Sequence, residues 1–500
     1  MTLSLNALSD PMSAAIEQAQ QALNTGRARV VDDYRPGYHL APPAGWMNDP
    51  NGVVYFRGEY HVFYQHYPFD AKWGPMYWGH AKSADLVHWQ HLPIALAPGD
   101  EVDRDGCFSG SAVVHGDTLA LIYTGHTWLG DVGDERFIRQ VQCLATSVDG
   151  IHFVKHGAVI EAAPHAGIMH FRDPKVWRQD EHWYLIAGAR LEDQPLLPLY
   201  RSADLHTWEF LDYAASGSDG DGYMWECPDL FRLDGRDVLL YSPQGMPAQG
   251  YAQLNKYHTG YRVGRLDSQW QFTGGPFIEL DNGHDFYAAQ TLEAADGRRL
   301  VWAWLDMWES PTPCTAHHWR GMLGLPRELE LHADRLRVFP ARELIALRQA
   351  PLTGTPWLSE SDSQWVPHIR GDRLEIHLLL DLLGNTDGQL GVALRCSADG
   401  HERTLLYYDA ALQRLVLDRS HSGSHVSGQR SVAIDPASGR IELRVFLDRS
   451  SIEVFDSAGR FTLSSRLYPQ TDSLGVKLLA NAQGGRVAIA DAWPLASGWL

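Results

Sequence analysis

The chain predicts an all-β protein: a five-bladed β-propeller followed by a C-terminal β-sandwich. Three observations carry that expectation. Five segments pair a β-prone run with a polar turn and a second aromatic, β-branched run, and they recur roughly every sixty residues, a repeat-protein spacing. A second pattern, a strand leading through a Ser/Asp turn to an aromatic, is interleaved with the first. Beyond residue 364 the repeat stops while short alternating strands continue.

The elements follow in order. Residues 1–30 lack a basic stretch leading into a long apolar core, so they do not read as a secretory signal. They read as a short amphipathic helix, with Asp10 as N-cap, Pro11 at the first position, Gly26 as the stop, and Ile16, Ala19 and Leu23 on one face. Residues 31–345 carry the repeats. Their hairpins open at Gly52, Ser111, Pro174, Pro228 and Ala288, and turn at RGE, HGD, RQDE, LDG and ADG. The interleaved pattern closes on Trp89, Phe153, Trp208 and Phe272, and the fifth unit substitutes the hairpin ELELHADRLRVF, ending at Phe339. Each repeat thus supplies about four strands, the content of a propeller blade; an irregular β-sandwich is the alternative. Pro351, Gly354, Pro356 and several serines mark residues 346–364 as a linker. In residues 365–500 the strands alternate, as in RIELRVFLD, where Ile441, Leu443, Val445 and Leu447 share a face, and the set reads as a sandwich.

Composition narrows the partners. A net charge of -19 argues against nucleic acid and anionic membrane surfaces. No apolar run is long enough to cross a bilayer. Five scattered cysteines without a CxxC pair argue against a disulfide framework and a structural zinc, and fit a reducing, cytoplasmic setting. Fourteen of the eighteen tryptophans lie at or before Trp319, which places sugar-stacking surfaces, and so the chemistry, in the repeat region. No feature specifies an oligomeric state.

Three carboxylates occupy matching places in the first, third and fourth repeats: Asp49 in WMNDPNGVVYF, Asp173 in FRDPKVW and Glu226 in WECPDLF. Each lies a few residues before an apolar strand, is followed by an Asp-Pro or Cys-Pro corner, and has an aromatic just upstream (Trp46, Phe171, Trp225). The bland explanation is turn carboxylates capping strands. Arranged about an axis, however, they converge, and converging carboxylates suit acid/base and nucleophilic work on a glycosidic bond. Apolar neighbours Met224, Trp225 and Cys227 should raise the Glu226 pKa, as a general acid requires. Asp49, among Asn48, Asn51 and turn amides, should stay ionised as a nucleophile, and Arg172 should keep Asp173 charged.

HLAPPAGWMNDPNG, GCFSGSAV, HFRDPKVW and MWECPDLF resemble the signature segments of the invertase, or β-fructofuranosidase, family (glycoside hydrolase family 32). WGHAKSADLVHW, GHDFYAAQT, DMWESP, GLPRELEL and LRVFLDRSSIEVF extend the resemblance over nearly the whole chain. It implies a five-bladed propeller with a β-sandwich and a retaining mechanism. In that mechanism Asp49 attacks the fructosyl anomeric carbon, Glu226 is the acid/base, and Asp173 grips the fructose hydroxyls. It places Asn48, Gln65, Trp73, Phe108, Ser109, Arg172, Tyr287 and Trp304 around the fructose, with core packing an alternative for Phe108 and Trp304. The stretch Trp302-Ala303-Trp304-Leu305 departs from the family's usual Gly-Trp-Met. No metal or organic cofactor is implied, and His317 and His318 read as a polar rim.

The expected substrate is sucrose, cleaved to glucose and fructose. The rival within the class is sucrose 6-phosphate, with Lys72, Lys256, His258 and Arg320 either surface charges or a phosphate cradle. A non-catalytic sugar-binding propeller or scaffold is the rival from another class. Asp448, Arg449 and Glu453 read as a salt-bridged strand pair or a contact with the propeller, the structural role being favoured.

Overall fold

The structure is a computed structural model and describes residues 11–359, 361–382, 387–482 and 484–499. After one helix, Pro11–Arg27, the described chain is built from strands in seven sheets. Five sheets of four or five strands come first in the chain, and two six-stranded sheets follow. Their number and order fit a propeller followed by a sandwich.

Each of the first five sheets begins with a long strand: Gly45–Phe56, Gly106–His115, His170–Gln179, Met224–Leu233 and Tyr287–Glu293. The first two strands of each sheet form the hairpin read from sequence, and the later strands add outward as an antiparallel meander. The five first strands pack against one another in cyclic order, the fifth returning to the first. Apolar clusters fill the spaces between sheets in the same cycle. Phe63 and Trp78 meet Leu121 and Val141; Ala120 and Ile122 meet Leu185 and Ala187; Leu197 and Ile186 meet Leu230 and Leu239. Val238 and Leu240 then meet Val301 and Leu329, and Leu292 and Trp302 return to Val53 and Val62. Two-residue alternation explains how one sheet feeds two interfaces, since successive side chains leave opposite faces.

The helix covers the interface between the first two sheets with Ala19 and Leu23, and Ile16 packs beside them. It runs one residue past Gly26, the expected stop. That glycine serves close approach instead: a Cβ there would stand 3.0 Å from the Ala44 Cβ. The expected cap Asp10 lies outside the described residues. The stretch read as a linker is partly strand, because Leu358–Ser359 and Ser361–Trp365 pair along the edges of the two six-stranded sheets. Those sheets bury Leu374, Ile376, Leu443 and Val445 from one against Leu390, Val392, Leu406 and Leu417 from the other.

The two parts of the chain meet through buried charge. His39 lies between Asp448 and Glu453, its two ring nitrogens 2.8 Å from a carboxylate oxygen of each. Arg327, fully buried, donates to Glu453 at 2.6 Å and to Asp281 at 2.9 Å. Both acids read from the late LDRSSIEVF segment therefore bind groups from the repeat region. Burial alone pushes His39 down, but the hydrogen bonds and charges of Asp448 and Glu453 outweigh it and raise the pKa to about 9.

A group raised above its unfolded value of about 6.5 contributes stability that is complete below that pH and lost as pH rises through about 9. Chemical denaturation should therefore show about 3 kcal/mol lost from pH 6.5 to 9.5, and His39→Gln should flatten that slope. Glu453→Ala, which strands both His39 and Arg327, should cost about 3–5 kcal/mol at pH 7.

Candidate active site

The three acids lie inside the first strands, rather than in turns ahead of them, and each first strand is irregular at the same level. Opposite Gln65, Asn48 and Asp49 together interrupt the ladder between Met47 and Pro50. Ser109 is an extra residue between Phe108 and Gly110. Asp173 with Pro174, Cys227 with Pro228, and Ala288 with Ala289 are two-residue insertions opposite single partners. Proline cannot donate to a ladder, so within a strand it belongs at such bulges. The Asp-Pro and Cys-Pro pairs thus mark interruptions of a longer strand. Asp173, Cys227 and Ala288 take left-handed backbone, with φ of 62°, 47° and 56°. For residues with a side chain that conformation is strained, which is the usual company of functional sites.

The bulges bring the acids together. Ser109 Oγ donates to Asp49 Oδ2 at 2.7 Å and Asn48 Nδ2 to Asp49 Oδ1 at 3.1 Å. The Cys227 amide donates to Asp173 Oδ2 at 3.0 Å. The Cys227 thiol lies 3.8 Å from a carboxylate oxygen of both Asp49 and Asp173, so one residue bridges two of the three acids. Arg172 grips Glu226 Oε1 through Nε at 2.9 Å and Nη2 at 2.8 Å. Gln244 Nε2 donates to Glu226 Oε2 at 2.9 Å, and the Tyr287 hydroxyl donates to the same oxygen.

This geometry corrects two expectations. The guanidinium of Arg172 is hydrogen-bonded to Glu226, and although its charge still pulls Asp173 down, burial and the Glu226 charge outweigh it, so Asp173 is raised. The surroundings of Glu226 are polar, because Met224 and Trp225 are buried elsewhere while the carboxylate takes all its bonds from Arg172, Gln244 and Tyr287. Asp49 is also shifted, to about 6, by burial and then by Glu226, against the pull of Ser109 and Asn48. Close carboxylates resist ionising together, so the cluster retains protons to higher pH than isolated acids would.

A cavity of about 340 Å³ opens over the cluster, within the size range of small-molecule sites. All three acids line it, as do Asn48, Gln65, Trp73, Phe108, Ser109 and Arg172. Gln65 is anchored to the Cys107 carbonyl at 3.0 Å, Phe108 stacks on His126 at 4.2 Å, and Trp73 is 38% exposed at the edge. Tyr287 stands behind Glu226, reaching it only through its hydroxyl. Trp304 is fully buried beneath Trp46 and Trp308, and Trp308 is the ring that lines the wall. His317 and His318 do not line this cavity. Sequence reasoning missed Gln244, Cys227, Tyr257 and Trp308. The motif DMWESP carried the signal for Trp308, and WECP carried that for Cys227.

Comparison with known proteins agrees over most of the chain, from residue 39 to residue 494. The family model described as "Glycosyl hydrolases family 32 N-terminal domain" matches residues 39–340, and "Glycosyl hydrolases family 32 C terminal" matches 343–494. A sucrose-6-phosphate hydrolase from Zymomonas mobilis is 46% identical over 93% of this chain and 92% of its own length. A raffinose invertase from Escherichia coli is 45% identical over 94% and 97%. Among solved structures, the Bombyx mori GH32 beta-fructofuranosidase BmSUC1 has a TM-score of 0.86 and 36% identity, covering 97% of this chain and 99% of that one. With both family models matched in order and strands presenting the acids at one cavity, the chain belongs to glycosyl hydrolase family 32.

Proposed function

We propose that the chain is a retaining β-fructofuranosidase that hydrolyses sucrose. The observation that carries the reading is the convergence of Asp49, Asp173 and Glu226, from three separate strands, on one small cavity. Supporting it are the family membership, a structural neighbour solved in complex with sucrose, and relatives named for sucrose-type substrates.

In this reading Asp49 attacks the anomeric carbon of the fructosyl unit from the face opposite the leaving oxygen. Glu226 gives that oxygen a proton as the glycosidic bond breaks, so glucose leaves neutral and fructose is held as an ester of Asp49. Glu226 then takes a proton from water, which attacks the same carbon and frees Asp49. Two inversions give net retention, the outcome expected when nucleophile and acid/base stand about 5 Å apart. Asp173, fixed by the Cys227 amide, binds fructose hydroxyls and faces the positive charge that develops on the ring. Arg172 and Tyr287 hold Glu226 in line, while Ser109 and Asn48 aim Asp49. Asn48, Gln65, Trp73, Phe108 and Ser109 shape the fructose subsite, with Trp304 supporting its wall from behind Trp308.

The architecture belongs to the same proposal. The five first sheets close as the blades of a propeller, supported by the cyclic packing of their first strands and by Trp319–Arg320 pairing in parallel with Gly45 and Trp46. We assign the helix Pro11–Arg27 to an N-terminal segment ending at residue 30, residues 31–345 to the propeller, 346–364 to a connecting stretch whose described residues add edge strands, and the described residues from 365 onward to the sandwich. The five buried cysteines, all free, support a cytoplasmic setting.

Asp49→Asn should lower kcat on sucrose by on the order of 10⁴-fold or more with an unchanged far-ultraviolet circular dichroism spectrum; near-normal turnover would remove Asp49 from the mechanism. The nucleophile must be ionised, so kcat/KM should fall as pH drops through about 6. Ser109→Ala removes a bond that favours the carboxylate, and should move that acid limb upward by up to about one pH unit.

A further inference from the structure

Resting on the reading of this cavity as a fructoside site, we infer that Glu135 and Glu309 decide which leaving group is accepted. They admit a glucosyl unit, bare or extended at its 6-position by another neutral sugar, and repel the same unit carrying a 6-phosphate. The relatives span both kinds of name, so kinship alone does not choose between them.

The charges lining the cavity make the choice. Five carboxylate side chains line it against two cations, Arg172 and Lys256. Neither cation is free. Arg172 is bound to Glu226 by two hydrogen bonds, and Lys256 Nζ lies 2.5 Å from Glu309 Oε1. His126 and His170 also face the cavity, but burial and then the Arg172 charge push both down to about 3, so they are neutral. A phosphate dianion is recognised by Arg guanidinium forks, by Lys ammonium groups or by backbone amides at a helix end, and among the described residues this cavity offers no uncommitted cation.

The other cations that could have formed a cradle are elsewhere. Lys72 and Arg320 do not line the cavity; Arg320 lies over the Trp46 ring at 4.9 Å and donates to the Ser310 carbonyl at 3.2 Å. His258 is buried away from it, only 2% exposed.

Position assigns the selecting role to the outer pair. Asp49 and Asp173 sit in the bulges at the base, and Glu226, beside the Cys227 bulge, is held by Arg172, Gln244 and Tyr287. Glu135 is exposed, on the loop between strands Thr118–Trp128 and Ile138–Ser147, and the Glu309 side chain is 78% exposed. A leaving group extending outward from the fructose meets those two carboxylates, and because Lys256 offsets part of the Glu309 charge, Glu135 carries the larger share of the repulsion. Trp308 and Tyr257, on the same wall, offer faces for a further neutral sugar. Exposed charges act over about 10 Å at 0.1 M salt, so the repulsion is strongest at low ionic strength.

The test compares kcat/KM for sucrose, raffinose and sucrose 6-phosphate at low and high salt, in the native protein and in the E135Q and E309Q variants. Raffinose carries a neutral galactosyl unit on the carbon that bears the phosphate, so it separates size from charge. The expected result is sucrose over sucrose 6-phosphate by at least tenfold at low salt, and raffinose within several-fold of sucrose. The phosphate penalty should narrow at high salt, and each variant should raise the ratio of sucrose 6-phosphate to sucrose several-fold, E309Q additionally by releasing Lys256. Preference for the phosphate by the native protein overturns the inference. So does a penalty shared equally by raffinose and indifferent to salt and to both substitutions, which marks a steric wall. Failure to cleave any of the three sugars overturns the fructosidase reading itself, and this inference with it.

Discussion

The site depends on one constraint: the first strand of each of five sheets gives up its regular ladder at the same level. A regular strand alternates its side chains between the two faces of a sheet and would send consecutive residues into the apolar interfaces on either side. The extra residues re-aim Asn48, Asp49, Ser109, Asp173, Cys227 and Ala288 out of that alternation. Three of these residues are left-handed at a typical cost of about 1–3 kcal/mol each. The apolar clusters between neighbouring sheets offset that cost, since each is packed from two sides by β-branched and aromatic residues. Removing the bulges would leave the same sheets and no cluster of acids.

The six-stranded sheets steady this arrangement from outside. Their carboxylates Asp448 and Glu453 take His39, and Asp448 also accepts from the amides of Gly37 and Tyr38, just ahead of the strand that carries Asp49. Asp285, two residues before Tyr287, accepts from Arg419 at 2.5 Å and from the Arg466 amide at 2.8 Å. The late part of the chain thus fixes the approaches to two site strands without lining the cavity. Buried ion pairs are poor sources of net stability but respond sharply when one partner is removed, which suits parts that must hold a register.

Much of this was legible in the sequence. The repeat spacing and the interleaved aromatic pattern reflect local hairpins, which depend on nearby residues alone. The acids could be found because proline followed two of them directly and the third after one residue, marking a break in the strand. What escaped was whatever depended on partners far along the chain. Arg172 precedes Asp173 but bonds to Glu226, fifty-four positions away, so adjacency missed its hydrogen-bonded partner and the charge that outweighs it at Asp173. Trp304 and Trp308 lie in one segment, and only packing decides which faces the cavity. Gly26 has the composition of a helix stop but is kept small by Ala44 across the interface.

The central claim is that Asp49 forms a covalent bond to fructose. The direct measurement is rapid-quench mass spectrometry of the Glu226→Gln protein with a β-fructofuranoside whose leaving group needs no protonation. Without the base for the second step, the ester should accumulate, as a single fructosyl unit on the peptide containing Asp49. Release of the leaving group in a burst with no adduct on that peptide, or an adduct mapped to Asp173, would contradict the account.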